Sequence, residues 1–109
     1  GVDGVIFVVD STQDQLTENI RSFNELKEAL GDKLGREIPL VVTLNKRDLP
    51  TALPRNELIN ALDVADYPIY ETVATTGVGV KRAFQSLARE IIMLHVYRIK
   101  EAQKQYAKL

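Results

Sequence analysis

The chain has 109 residues, 45% of them hydrophobic and 27% charged, with a formal net charge of -1, enough for one small domain around a single core. A near-neutral chain without a basic run has no electrostatic reason to bind nucleic acid or an anionic membrane surface. The absence of cysteine excludes disulfides, thiolate metal sites and thiol catalysis and agrees with a cytoplasmic home; the longest apolar run, Val5 to Val9, is far too short to cross a bilayer and follows no signal peptide.

In chain order, Val5-Ile6-Phe7-Val8-Val9 is apolar at consecutive positions and rich in β-branched residues, as a strand covered on both faces must be, so it is expected in a sheet's interior. Asp10 and Ser11 end it and read as caps for the helix that follows over residues 13–30. Leu16, Ile20, Phe23, Leu26, Lys27 and Leu30 give that helix a stripe of nearly helical period, and Gly31 terminates it. Pro39 opens a second strand over residues 40–44, again apolar nearly throughout, and Pro54 suits the first position of a short helix through Leu58, Ile59 and Leu62. A third strand over residues 69–73 alternates in polarity and is begun by Pro68, which suits a sheet edge. The last helix starts near Val80, with Val80, Ala83, Phe84, Leu87, Ala88, Ile91 and Leu94 as its buried stripe. Residues 98–109 are helix-favouring and mixed in charge, and extend that helix beyond what the sheet can cover; a solvent helix is the favoured reading over a partner-docking one. Strand and helix thus alternate three times with no linker or repeat, the signature of a parallel α/β sheet. Right-handed crossovers that step the same way place the first two helices on one face and the last on the other.

Two loops at strand ends carry the chemistry. Asn45-Lys46-Arg47-Asp48 stands straight after Leu40-Val41-Val42-Thr43-Leu44 and before Leu49-Pro50, and Ala74-Thr75-Thr76-Gly77 follows Tyr70-Glu71-Thr72-Val73. Loops at the carboxyl ends of parallel strands share one rim of the sheet, where open α/β folds bind ligands. With Val5-Ile6-Phe7-Val8-Val9-Asp10-Ser11 and Leu49-Pro50-Thr51-Ala52 beside them, these motifs make the chain resemble small Ras-like GTPases, most closely the Arf-like and bacterial gliding-motility (Mgl-type) branches, up to about Leu94. The resemblance implies part of the P-loop NTPase (Ras-like) fold: three parallel strands alternating with three helices, the last one long, in a single domain 1–109. The family's G-x-x-x-x-G-K-[ST] phosphate loop is missing, since Gly31-Asp32-Lys33-Leu34-Gly35-Arg36 has the wrong spacing, and so is its D-x-x-G motif, since Gly4 follows Asp3 directly. The chain therefore looks like the carboxyl-terminal portion of a GTPase domain, with no catalytic residue of its own.

The resemblance implies GTP or GDP as ligand, with Mg2+ only in the complete protein. N-K-x-D is the family's guanine-reading motif: Asp48 would accept the ring N1–H and the 2-amino group, a donor pair that guanine has and adenine lacks. Adenine would set an acceptor nitrogen against the carboxylate, and sites of this kind discriminate by about 10⁴-fold. Asn45 would tether the two loops and reach N7, while the Lys46 stem lies along the purine plane with its charge left in water. The backbone N–H of Ala74, joined by that of Thr75, would donate to O6. Ras-type loops have Ser-Ala-Lys where this chain has Val73-Ala74-Thr75, so the side-chain contacts of that Ser and Lys do not carry over.

Arg47 fills the motif's variable position and reads as a solvated charge. His95, the only histidine, has no ligand at metal spacing and reads as a packing or surface residue; Tyr67 and Tyr70 read as core rim. Two function classes fit. One is part of a GTP-hydrolysing switch with regulatory and effector partners; the other is an interaction module without phosphate machinery, self-associating through an open Val5-to-Val9 edge. The first is preferred, because a scaffold has no need of an Asp matched to guanine.

Overall fold

The computed structural model describes residues 2–107, with side chains through Lys104. Gly1, Lys108 and Leu109, at the ends of the expected domain and its last helix, lie outside the described residues. Strands β1 (Val5–Asp10), β2 (Leu40–Asn45) and β3 (Ile69–Glu71) pair in parallel in the order β1-β2-β3. Val5 stands opposite Leu40 and Asp10 opposite Asn45, so β1 and β2 end level at the carboxyl rim.

Alternation along the strands sorts the side chains between two faces. Val5, Phe7 and Val9 join Leu40, Val42 and Leu44 on the face covered by α1 (Leu16–Leu30) and α2 (Arg55–Leu62), where Phe23, Leu58, Leu62 and Val64 complete the core. Phe23 lies 5.0 Å from the Phe7 ring and meets Tyr67 edge-on at 6.4 Å, so the large aromatic knits strand, helix and the approach to β3. Ile6, Val8 and Thr43 point the other way, toward Val80, Ala83 and Leu87 of α3 (Val80–Ala107). The division of helices between faces is the expected one. A 3-10 turn, Gln13–Gln15, leads into α1, and Gly31 at φ 58 ends it.

Several expectations change. β1 is an edge strand among the described strands, and β2 is the central one, with Leu40, Val41, Val42, Thr43 and Leu44 all buried. The two-sided cover expected of this apolar run is also incomplete: of residues 5–9 only Val9 is buried and Val8 is 58% exposed, because an apolar run says nothing about lateral neighbours. Phe84, expected in the core, is 61% exposed, while Ser86 and Ala83 are buried. α3 crosses a sheet only three strands wide, and Phe84 stands over the open β1 margin near Val8. Ala88 is exposed for the same reason of limited cover. Pro54, with ψ 144, is the extended residue before α2 rather than its first helical residue, and its carbonyl accepts from the Leu58 amide at 3.2 Å. The third strand stops at Glu71, because Val73 bonds to Val78 across a tight loop instead of continuing the ladder. Its position at the edge is as expected. The 28 residues of α3 span about 42 Å against about 20 Å for a six-residue strand, so the helix overhangs the sheet. Ile92, Met93 and Tyr97 are each 60% exposed on this half of the helix. No helix among the described residues is long and apolar enough to cross a membrane.

Candidate functional site

Both chemistry-bearing loops leave the sheet at its carboxyl rim, and the strand register makes them meet. The Thr72 amide donates to the Leu44 carbonyl at 2.8 Å, which carries the chain after β3 past the end of β2. Lys46 takes the left-handed conformation, φ 63, and turns the chain off the strand direction into a turn closed by the Leu49 amide on the Lys46 carbonyl at 3.2 Å. In the second loop the Val73 carbonyl accepts from the amides of Thr76 and Gly77, at 3.1 and 2.9 Å.

Asn45 joins the two loops. Its Oδ1 accepts from Thr72 Oγ1 at 3.2 Å and from the Ala74 backbone N–H at 3.0 Å, which occupies both lone pairs of the amide oxygen. The five residues singled out by the sequence, Asn45, Lys46, Asp48, Ala74 and Thr75, line one cleft of about 170 Å³ together with Leu49 and Val73. Asp48 is exposed, and among the described residues its carboxylate makes no ion pair.

The structure corrects four details. The Ala74 amide, expected to be free for a ligand oxygen, is committed to Asn45; the Thr75 amide has no hydrogen-bond partner among the described residues. The Lys46 ammonium, exposed as expected, is not free there: it lies 2.8 Å from Asp10 Oδ2. Asp10 and Ser11 do not cap the helix: Asp10 Oδ1 accepts from Thr12 N–H at 3.1 Å and Thr12 Oγ1 at 2.7 Å, and Ser11 Oγ is buried without a partner. Arg47 is no solvated charge. Its side chain is only 20% exposed, with Nε 3.1 Å from Glu71 Oε1 and Nη1 donating to the Leu53 carbonyl. Glu71 lies twenty-four positions from Arg47 and meets it only through parallel pairing, while Leu53 lies six positions on, so no local motif announces the set. His95 is exposed, and Tyr67 and Tyr70 are half-buried. Among the described residues there is no group of three or more His, Cys, Asp or Glu that could hold a metal ion.

The Asp10–Lys46 contact reaches across from β1 to the first loop. Burial by itself raises the Asp10 carboxyl, but hydrogen bonds from Lys46 and Thr12 outweigh it and hold the group below its ordinary 3.8. The hydrogen bond to Asp10 raises Lys46 above 10.5. A depressed carboxyl stabilises the fold above its unfolded value and loses that contribution as pH falls through the folded one; the raised ammonium loses its contribution as pH climbs through its own. The latch is thus closed at neutral pH and opens only below 3.8 or above 10.5. An NMR titration should place the Asp10 midpoint below 3.8 and move it upward in Lys46→Met; a midpoint unmoved by that change would leave Thr12 alone as the cause.

A parallel sheet with helices on both faces and a tethered loop pair at its carboxyl rim is the architecture of Ras-like α/β domains. Residues 1–91 match the Arf family, described as the ADP-ribosylation factor family, and the chain belongs to it. It is 38% identical over 94 residues to the mutual gliding-motility protein MglA of Myxococcus xanthus (strain DK1622), a match covering 84% of this chain and 48% of that protein. It is 34% identical over 93 residues to ADP-ribosylation factor-like protein 6 of Caenorhabditis elegans, covering 81% of this chain and 49% of that one. The chain therefore spans about half the length of these curated relatives. They agree with the Arf-like and gliding-motility resemblance of the motifs.

Proposed function

We propose that this chain forms the guanine-recognising portion of a small GTPase switch, holding the base of GTP and GDP through Asn45, Lys46, Asp48, Ala74 and Thr75. The observation that carries the proposal is the Asn45 tether, which ties both loops around one cleft while the Asp48 carboxylate makes no ion pair among the described residues. The donor set of the cleft fits a guanine edge. Asp48 offers acceptors to the N1–H and 2-amino donors, the Thr75 amide is a donor suited to O6, and Asn45 Nδ2 is one suited to N7. Ala74 serves as an anchor through its amide, and its small side chain keeps the loop close. The Lys46 stem, held toward Asp10, supplies an apolar surface for one face of the purine.

On this reading the residues belong to the carboxyl-terminal portion of a GTPase domain in a cytoplasmic protein. GTP hydrolysis, Mg2+ binding and the response to regulators and effectors belong to the complete protein, since these 109 residues contain no phosphate loop. Calorimetry on the complete protein should show GDP bound at least about 10³-fold more tightly than ADP. The 109-residue chain alone should bind GTP with a Kd near ~1 mM or weaker, because the base contacts act there without phosphate contacts. Equal affinity for GDP and ADP in the complete protein, or nanomolar binding by these residues alone, overturns the proposal.

One observation favours a second reading, an interaction module without hydrolysis. The outer edge of β1 is unpaired among the described residues, and Val8 and Phe84 flank it at 58% and 61% exposure. Such an edge can take up another extended segment, including that of a second copy. A complete protein that associates but shows no preference among nucleotides belongs to this class.

A further inference from the structure

We propose that Arg47 is a positioning residue for base recognition, clamping the Asp48 turn against β3 and residues 49–53 so that the carboxylate stays beside the Ala74-Thr75 loop. The inference rests on the guanine reading above and adds to it a residue at the motif's variable position, where base chemistry makes no demand. Two segments converge on the Arg47 guanidinium, and its backbone amide adds a bond to the residue after β3. Nε reaches Glu71 Oε1 at 3.1 Å, Nη1 donates to the Leu53 carbonyl, and the Arg47 amide donates to the Thr72 carbonyl at 3.4 Å. Glu71 ends β3 and immediately precedes the segment that Asn45 tethers, while Leu53 is itself held to the residue that follows β1 by its amide on the Ser11 carbonyl at 2.8 Å.

Asn45 fixes only the start of the first loop. Asp48 lies three residues further on, in a turn whose own closing bond is the Leu49 amide on Lys46, so its direction depends on what holds the turn's far side. Arg47 does this with two donors at a fixed angle in one plane, a geometry that a lysine ammonium on a flexible stem does not reproduce. With Glu71 47% exposed, the ion pair is partly screened, and its effect lies in orientation more than in stability.

The test compares GDP with IDP, which lacks the 2-amino group, in the complete protein. Arg47→Ala should weaken GDP by about 10-fold and lower the GDP-to-IDP affinity ratio, whereas general loosening of the fold would weaken both alike. In an Asp48→Ala background the same change should add less than about 2-fold, because Arg47 acts through that carboxylate. Glu71→Gln, at a half-exposed site with little bearing on folding, should shift the ratio in the same direction by about 3-fold, and decides the matter if Arg47→Ala does not fold. An unchanged ratio in the variants that fold, or an Arg47→Ala effect undiminished in the Asp48→Ala background, overturns the inference. A wild-type protein without preference for GDP over ADP defeats the guanine reading itself, and this inference with it, before any variant is made.

Discussion

Replacing Asp48 by Asn in the complete protein should cut its preference for GTP over ATP by about 10²- to 10⁴-fold, the equivalent of two charge-assisted hydrogen bonds at roughly 1.5–3 kcal/mol each. The amide keeps one acceptor but turns its NH2 toward a base edge that presents donors, so one pairing survives only as a neutral hydrogen bond and the other becomes a donor–donor clash. Asp48 is exposed and makes no ion pair among the described residues, so the same substitution should leave unfolding stability within about 0.5 kcal/mol. Selectivity and stability can therefore be read separately, by competition binding and by denaturant melts. An Asp48→Asn protein that still prefers GTP as strongly as before would remove the carboxylate from the recognition scheme.

Gly79→Ala should destabilise the fold by about 3 kcal/mol or more, the largest effect expected of a single methyl group in this chain. Gly79 sits at φ 75 just before α3, and a Cβ there would lie 2.1 Å from the Glu71 carbonyl oxygen and 3.2 Å from Thr72 Cγ2. The obstacle is backbone at the end of β3, which cannot rotate aside as a side chain would. Gly77, two residues earlier, is the internal control: its φ is 80, but a Cβ would meet nothing within 4 Å. Gly77→Ala should therefore cost only the left-handed penalty of about 1–2 kcal/mol. Urea midpoints of the two variants measure the difference. Equal losses would mean that the close approach of α3's start to β3 is not a real constraint. Because Glu71 also holds Arg47, Gly79→Ala should weaken guanine binding as well, through the displaced end of β3.

What could be read from residues alone was local or periodic. The unbroken apolar runs of β1 and β2, the stripe from Leu16 to Leu30 ended by Gly31, and the Pro68 opening of an edge strand all follow from rules that act within a few residues. The candidate site was legible for a related reason. Its residues form two contiguous motifs at the ends of parallel strands, and parallel strands carry such ends to a common rim.

The remainder was not legible because it consists of contacts between segments distant in the chain. Lys46 meets Asp10 thirty-six positions away, and Arg47 meets Glu71 twenty-four away; both depend on which strand pairs with which, and in what register. The exposure of Phe84 depends on how wide the sheet is, a property of strand count that helical periodicity does not contain. The commitment of the Ala74 amide to Asn45 was hidden for the same reason, since a backbone donor looks free until its neighbour across the sheet is known. By itself, then, the amino-acid order determined the elements and the two loops, because hydrophobic period, turn residues and motif spacing are carried along one dimension. Tertiary structure alone decided which charges are paired, which amide is spent and which apolar ring is left uncovered, because those follow from distances that exist only after the sheet has assembled.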